Sequence, residues 1–399
     1  MPKSKCLILL PPPPSEVSLK SISEAYRPSL TLNFTTLKKI SASTQLLVAV
    51  DWPVIRGQIG IPRTKLFYEA QRLLGRLYIL VYSVCDELGI KVDSDLSGSV
   101  DPRIVLIDNS DLDSKSTITP ELTPIIGPII KLQSLSNASN QWQLILSTND
   151  DAGQELLAKY HEYTSKKCLS CKHQKAESSS SITITPLDQT LQFNTTYHVV
   201  AVGGTFDHLH VGHKLLLTAT ALLLQPPTST LSNLRLIVGI TGDELLVNKR
   251  YSEYLKSWKQ RQEDVVDFLL SILLCTFDAP SDSVIISSFH QPETNVFSVH
   301  TKIEACRTTI ECIEIKDPFG PTITDEDITA LVVSGETRSG GKVINQRRVE
   351  NGIRPLDVYE IEVLSAKDAL SDSIENFATK ISSHQIRKQR AENIQVKKL

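Results

Sequence analysis

The chain has 399 residues, 41% of them hydrophobic and 22% charged, with a net charge of −3. That length suits two or three domains with a globular core, and the slight acidity excludes a protein built mainly to coat nucleic acid or an anionic membrane. Seven scattered cysteines do not make the disulfide framework of a small secreted domain. The opening "MPKSKCLILLPPPPSE" has an apolar run stopped by four prolines and no small-residue cleavage pattern, so it is not read as a secretory leader. No run of eighteen apolar residues suggests a membrane span. The expectation is a soluble protein of a reducing compartment, most simply cytoplasmic.

The first predicted elements are "TQLLVAVDW" (44–52) and "PRIVLIDNS" (102–110), buried strands by their apolar runs. Between them, "TKLFYEAQRLLGRLYILVYSVCDELG" (64–89) spaces apolar residues as a helix does. Residues 1–160 therefore read as an α/β region of unknown role, with no catalytic constellation. The joint "YTSKKCLSCKHQKAESSSSITITP" (163–186) is Lys- and Ser-rich and poor in large apolar groups, and 161–193 reads as a polar linker or loop. It holds Cys168 and Cys171 at C-x-x-C spacing, with His173 beyond. Zinc needs four ligands, and no second pair follows at finger-like distance. A redox pair is expected to open a helix after a strand. Chance spacing is the reading adopted.

The second region, 194–399, opens with "YHVVAVGG" (197–204), a strand ending in glycines, followed by a helix "VGHKLLLTATALLL" (211–224) and a buried strand "NLRLIVGITG" (233–242). "WKQRQEDVVDFLLSILL" (258–274) is an amphipathic helix. "SVIISSF" (283–289), "IECIEI" (310–315), "DITALVVSG" (327–335) and "LDVYEIEVL" (356–364) supply further strands. Apolar strands alternating with helices predict a parallel sheet covered on both faces. The fold class expected is α/β: a Rossmann-like parallel-sheet domain preceded by a second α/β region. In such sheets ligands bind beyond the carboxyl ends of the strands, where Gly203 and Gly204 arrive.

Between that strand and helix lies "GGTFDHLHVGH", with His208, His210 and His213 inside six positions. A metal site wants several converging ligands, and only Asp207 is nearby, so no metal ligand set is assigned. Covalent catalysis wants a Ser or Cys held beside a histidine, and no G-x-S-x-G elbow is present. Phosphate handling fits the setting. A strand, a Gly-Gly turn and a helix start present backbone N–H groups to an anion. His210 and His213, three apart, project from one face, and each can donate to a phosphate oxygen. His208 reads as a turn residue.

"GGTFDHLHVGH" resembles the H-x-G-H form of the nucleotidyltransferase signature. With "KLLLTA" after it, it looks like the archaeal and eukaryotic type of phosphopantetheine adenylyltransferase. Later blocks agree. "LVVSGETRSGGKVINQRRVENGI" (331–353) resembles that family's second block at Ser334, Glu336, Thr337, Gly340, Gly341, Ile344, Asn345 and Arg348. "DPFG" (317–320) lies just upstream of it, and "KISSHQIRKQR" (380–390) resembles the third block at Ile381, Ser382, Ser383 and Arg387. Lys249 falls where the superfamily often places a phosphate-binding lysine. The resemblance covers 197–390 and does not reach the N-terminal half.

It implies transfer of AMP from ATP to 4′-phosphopantetheine, giving dephospho-coenzyme A and pyrophosphate. His213 would serve the α-phosphate, His210 the neighbouring ATP phosphates, and Lys249 and Arg338 phosphate charge. Thr205 would bridge the substrates within the Gly203-Gly204-Thr205-Phe206 turn. Ser382, Ser383 and Arg387 would hold the β/γ end, and Mg²⁺ would arrive with ATP. The implied partners are ATP and 4′-phosphopantetheine, with neither nucleic acid nor membrane, and with room for assembly with other coenzyme A biosynthesis enzymes. "GETRSGGK" is not a P-loop, since Glu336 replaces the first Gly and Val343 the Ser/Thr, so a kinase is expected on a separate protein. Segment 276–309 looks long for the family and is expected to form an extra hairpin or lid. Competing readings are a cytidylyltransferase, a nicotinamide-nucleotide adenylyltransferase, or a non-catalytic nucleotide-binding scaffold. The first usually carries R-T-x-G-I-S-T-S, where this chain has "ATKISSHQIR". A class I tRNA synthetase would need a K-M-S-K-S block, which is absent.

Overall fold

The computed structural model describes residues 3–56, 61–93, 96–110, 127–137, 141–166, 195–226, 233–278, 283–291, 296–362 and 382–396. Two sheets organise them. The first has five strands in the order β4-β3-β2-β1-β5. They are β1 (Ser4–Leu10), β2 (Thr44–Asp51), β3 (Val100–Asp108), β4 (Ile129–Lys131) and β5 (Leu144–Ser147). All four pairings are parallel, which makes this sheet Rossmann-like. The near-continuous apolar runs of β1 to β3 are what strands buried on both faces require. The "CLILL" run before the prolines is thus an interior strand, between β2 and β5. Helix α1 (Leu19–Leu37) starts at a capping box in which Ser18 and Ser21 satisfy each other's backbone N–H groups. Helices α2 (Arg63–Glu87), α3 (Leu132–Ser136) and α4 (Asp151–Lys166) complete this half. Helix α4 runs six residues, 161–166, into the stretch 161–193 read as a linker, and Cys168, Cys171 and His173 lie outside the described residues.

The second sheet has seven strands in the order β12-β11-β6-β7-β10-β9-β8. They are β6 (Val199–Gly204), β7 (Leu234–Thr241), β8 (Val284–Gln291), β9 (Val296–Ile303), β10 (Thr308–Ile315), β11 (Ala330–Val333) and β12 (Asp357–Glu360). Five of these strands are parallel, but β9 runs antiparallel to both β10 and β8. The expectation of a purely parallel second sheet is therefore corrected: this sheet is mixed. The described strands of segment 276–309 form a hairpin that extends the sheet at the edge away from β6, not a lid over the histidines. Helices α5 (Val211–Leu223), α6 (Trp258–Leu274), α7 (Arg338–Glu350) and α8 (Ser383–Val396) belong to this half.

One continuous apolar core runs through both halves. Helix α2 packs on α1 and on α5, which is why its apolar residues run nearly all round. Strand β6 has β7 on one side and β11 on the other, so the chain reverses its direction of travel across the sheet at β6. That is the topological switch point, where a crevice opens beyond the strand ends. Among the described residues no helix is long and apolar enough to cross a membrane.

Candidate active site

At the carboxyl end of β6 the chain turns through Thr205-Phe206-Asp207-His208-Leu209 and enters α5 with His210 as N-cap. Phe206 (φ 52°) and His208 (φ 46°) are left-handed, a conformation costing about 1–2 kcal/mol at a non-glycine residue. Buried contacts hold it. Asp207 is fully buried; its Oδ2 accepts from Arg387 Nη1 at 2.5 Å and its Oδ1 from the Lys256 N–H at 3.1 Å. The Ser383 hydroxyl donates to the Asp207 carbonyl at 2.7 Å. Arg261, also fully buried, donates to the Thr205 carbonyl at 2.7 Å and to Asp243 at 2.6 Å. His208 is buried with Nε2 at 3.0 Å from the Tyr254 carbonyl, and so is a turn residue.

Two glycines permit close approach here. A Cβ at Gly204 would sit 3.1 Å from the Phe206 ring, and one at Gly212 would sit 3.2 Å from the His210 ring. The glycine of H-x-G-H thus leaves room for the imidazole before it. His210 Nδ1 accepts the Gly212 N–H at 3.2 Å, as an N-cap acceptor does. That bond fixes the tautomer: the proton is on Nε2, which remains a donor. His210 and His213 stack at 3.9 Å between centroids, and His213 also lies 5.4 Å from Phe206. Burial pushes the His210 imidazole down to about 4. Burial, then His210 and Lys249, holds His213 well below the usual histidine range. Both rings are neutral near neutral pH, and His213 Nδ1 is buried without a hydrogen-bond partner.

Lys249 is exposed, with Nζ 3.4 Å from Thr205 Oγ1. Partial desolvation of its ammonium by the turn, then Arg387, lowers it below the ordinary lysine value. Thus Gly203, Gly204, Thr205, Phe206, His210, His213 and Lys249 come together. The other expected residues are placed differently. Arg387 is buried beneath the turn on Asp207, with Nε donating to the Arg250 carbonyl at 3.2 Å. Ser382 caps α8 through the Gln385 N–H at 3.3 Å, and Ser383 holds the turn; Ile381 lies outside the described residues. Arg338 is exposed and held by Glu360 of β12, two strands from β6. Next to the turn lies a cavity of about 770 Å³, walled by His208, Leu209 and His210, by Tyr82 and Ile90 of the first half, and by Phe268 of α6.

Sequence reasoning missed Asp207 and Arg261. Arg261 had a signal: it lies four before Val265 and eight before Leu269, on the buried stripe of α6. A cation on a buried stripe needs a partner. Among the described residues no group of three His, Cys, Asp or Glu side chains is arranged to hold a metal.

Strand end, glycine turn and stacked histidines at a helix start bring the residues of the H-x-G-H segment together. A phosphopantetheine adenylyltransferase of Saccharomyces cerevisiae is 32% identical over 192 residues, 48% of this chain and 48% of its own length. An uncharacterized protein of Schizosaccharomyces pombe is 38% identical over 193 residues, again 48% of each. The phosphopantetheine adenylyltransferase of Pyrococcus abyssi is 29% identical over 177 residues, 44% of this chain and 86% of its own. The matches span about half the length of the two yeast relatives. Residues 1–184 match a family model described as "Domain of unknown function (DUF8446)". The chain is therefore related, over less than half its length, to a phosphopantetheine-adenylyltransferase-like family of nucleotidyltransferases.

Proposed function

We propose that the protein transfers AMP from ATP to 4′-phosphopantetheine. A phosphate oxygen of the acceptor attacks the α-phosphorus, the α-phosphorus–oxygen bond to the β-phosphate breaks, and pyrophosphate leaves with that electron pair. The attacking oxygen is already anionic, so catalysis is positioning and charge stabilisation. The observation that carries this is the neutral, stacked His210–His213 pair at the switch point, beside Thr205 and Lys249. His213 serves the α-phosphate as charge moves onto it, and His210 donates from Nε2 to the neighbouring phosphates. Lys249 holds phosphate charge next to Thr205. Mg²⁺ bound to the triphosphate supplies charge neutralisation at the leaving group. Arg338 reaches phosphate only by releasing Glu360, whereas Arg387, Ser382 and Ser383 hold the turn and the start of α8. The acceptor is supported by the later sequence blocks and by the named relatives. In this reading 194–399 carries the transfer, 161–193 links, and the reaction is a cytosolic step of coenzyme A synthesis.

The test is His213→Ala, assayed for dephospho-coenzyme A formation. Loss of one transition-state donor predicts a fall of about 10²–10³ in kcat. A variant at near-parental rate would sink the assignment. Parental protein that turns over CTP or nicotinamide mononucleotide in preference would redirect it within the superfamily.

A further inference from the structure

The residue after His213 is Lys214, and its side chain turns away from the strand edge, into the other half of the molecule. Its Nζ lies 2.5 Å from Asp101 Oδ1 and 3.1 Å from the Pro102 carbonyl, both on β3 of the first sheet. The other Asp101 oxygen pairs with Arg103. Arg103 continues to Asp267 of α6 at 2.7 Å and to the Ser271 hydroxyl at 3.0 Å. Asp101, Arg103 and Lys214 are 4%, 2% and 2% exposed, and all three line the cavity beside His210. An acid of the first sheet is thus clamped between two cations, one on α5 and one tied to α6.

This contact differs in kind from the apolar packing of α2 on α5. Apolar contact is non-directional and tolerates small slides. A buried ammonium cannot leave its acceptors without stranding charge. The residue one position earlier presents an imidazole to the strand edge. Rotation or translation of α5 is therefore coupled to a carboxylate more than a hundred residues away in sequence. Buried ion pairs are poor devices for stability alone, since apolar side chains of similar volume often do as well.

We propose that Asp101 is a positioning residue for the histidine pair: through Lys214 it sets how α5 presents His210 and His213. The first half would then complete a site whose imidazoles lie in the second, and this gives a role to the region matched as a domain of unknown function. The turnover arm of the test rests on the function proposed above; the resonance arm does not.

In the full-length protein, Asp101→Asn leaves Lys214 facing a neutral amide. The expected result is a fall of roughly 10–100-fold in kcat, as for a catalytic group displaced by an ångström, with the KM for ATP changed by less than about threefold. The triple variant Asp101→Met, Arg103→Met, Lys214→Met replaces the buried ions by apolar volume and guards against misfolding of the single variant. It is expected to melt near the parental temperature and still turn over at least about tenfold slower. A folded triple variant working within about twofold of the parent would overturn the proposal. Imidazole nitrogen resonances of His210 and His213, recorded without substrate, supply the independent arm. They should move in every folded variant, and unmoved rings would overturn the proposal even if the parent makes no dephospho-coenzyme A. A parent without turnover but with rings that move would instead reject the proposed reaction and keep the positioning role.

Discussion

The carboxyl edges of the two sheets share a strand–turn–helix plan and differ in the chemistry of the first turn. After β1 the chain runs Pro11-Pro12-Pro13-Pro14; after β6 it runs Thr205-Phe206-Asp207 from a strand that ends in Gly203-Gly204. Four prolines remove four backbone donors, whereas glycines let backbone approach a bulky anion. The neighbouring strands reinforce the contrast. In the first sheet β2 and β3 end in buried Asp51 and Asp108, each with one carboxylate oxygen lacking a hydrogen-bond partner. In the second, the edge carries two histidines and Lys249 over the buried Arg261. A parallel sheet is therefore not in itself a phosphate site. The donors and cations placed at its first turn decide what it can hold.

Each edge also has an arginine on a buried aspartate, and these two pairs give the largest predicted effect. Arg387 is 4% exposed on its side chain and Asp207 fully buried, while Arg56, 2.8 Å from Asp51, is 36% exposed. Arg387→Met would strand the Asp207 carboxylate and is expected to cost about 3–5 kcal/mol. Arg56→Met removes a partly exposed cation from the buried Asp51, which keeps the Asn109 amide at 3.1 Å, and should cost less, about 1–2 kcal/mol. Urea unfolding of the two variants measures the difference. Equal losses would mean that the turn does not depend on α8.

That asymmetry also marks where the sequence could be read. Strand β6, helix α5, strand β7 and helix α6 follow from local apolar periodicity and from the glycines that punctuate it. The grouping of Thr205, His210 and His213 follows from their nearness in the chain. Pairings between distant charges do not follow from local pattern. Arg387 reads as a phosphate ligand on a basic segment until Asp207, 180 residues earlier, is seen to take its guanidinium. Lys214 reads as the polar start of an apolar helix until Asp101 appears beside it. Strand direction is silent too: an apolar run is the same whether its neighbour is parallel or antiparallel, and so "SVIISSF" reads as one more strand of a parallel sheet although β8 pairs antiparallel with β9. The strand before the four prolines went unread for another reason: the prolines end β1, an interior strand, rather than interrupt it.

A smaller effect tests the cation at the second edge. Lys249→Met should weaken ATP binding by about tenfold, near 1.4 kcal/mol, and should flatten its dependence on salt. Asp51→Asn at the first edge should leave ATP affinity within about twofold. Calorimetric titration at two ionic strengths separates them. Matching losses from both substitutions would erase the distinction between the edges.

The smallest effect is a proton. Free His210 titrates at about 4 and His213 well below the ordinary range, chiefly through burial, so both rings are neutral in the empty site at about pH 6. A triphosphate beside them favours the charged imidazolium and raises both values. Binding must then take up protons. The contribution of His210 to affinity grows as pH falls through its bound-state value, and levels off below about 4, where the free ring is protonated as well. Titrations at about pH 6 in two buffers of different ionisation enthalpy count the uptake, which should be a fraction of one proton. Subtracting the same measurement on His210→Gln cancels the proton that ATP itself carries. Net release would mean that the free histidines are charged. The neutral pair would then be the wrong description of the second edge, and its contrast with the acidic first edge would be one of charge rather than of hydrogen-bond donors.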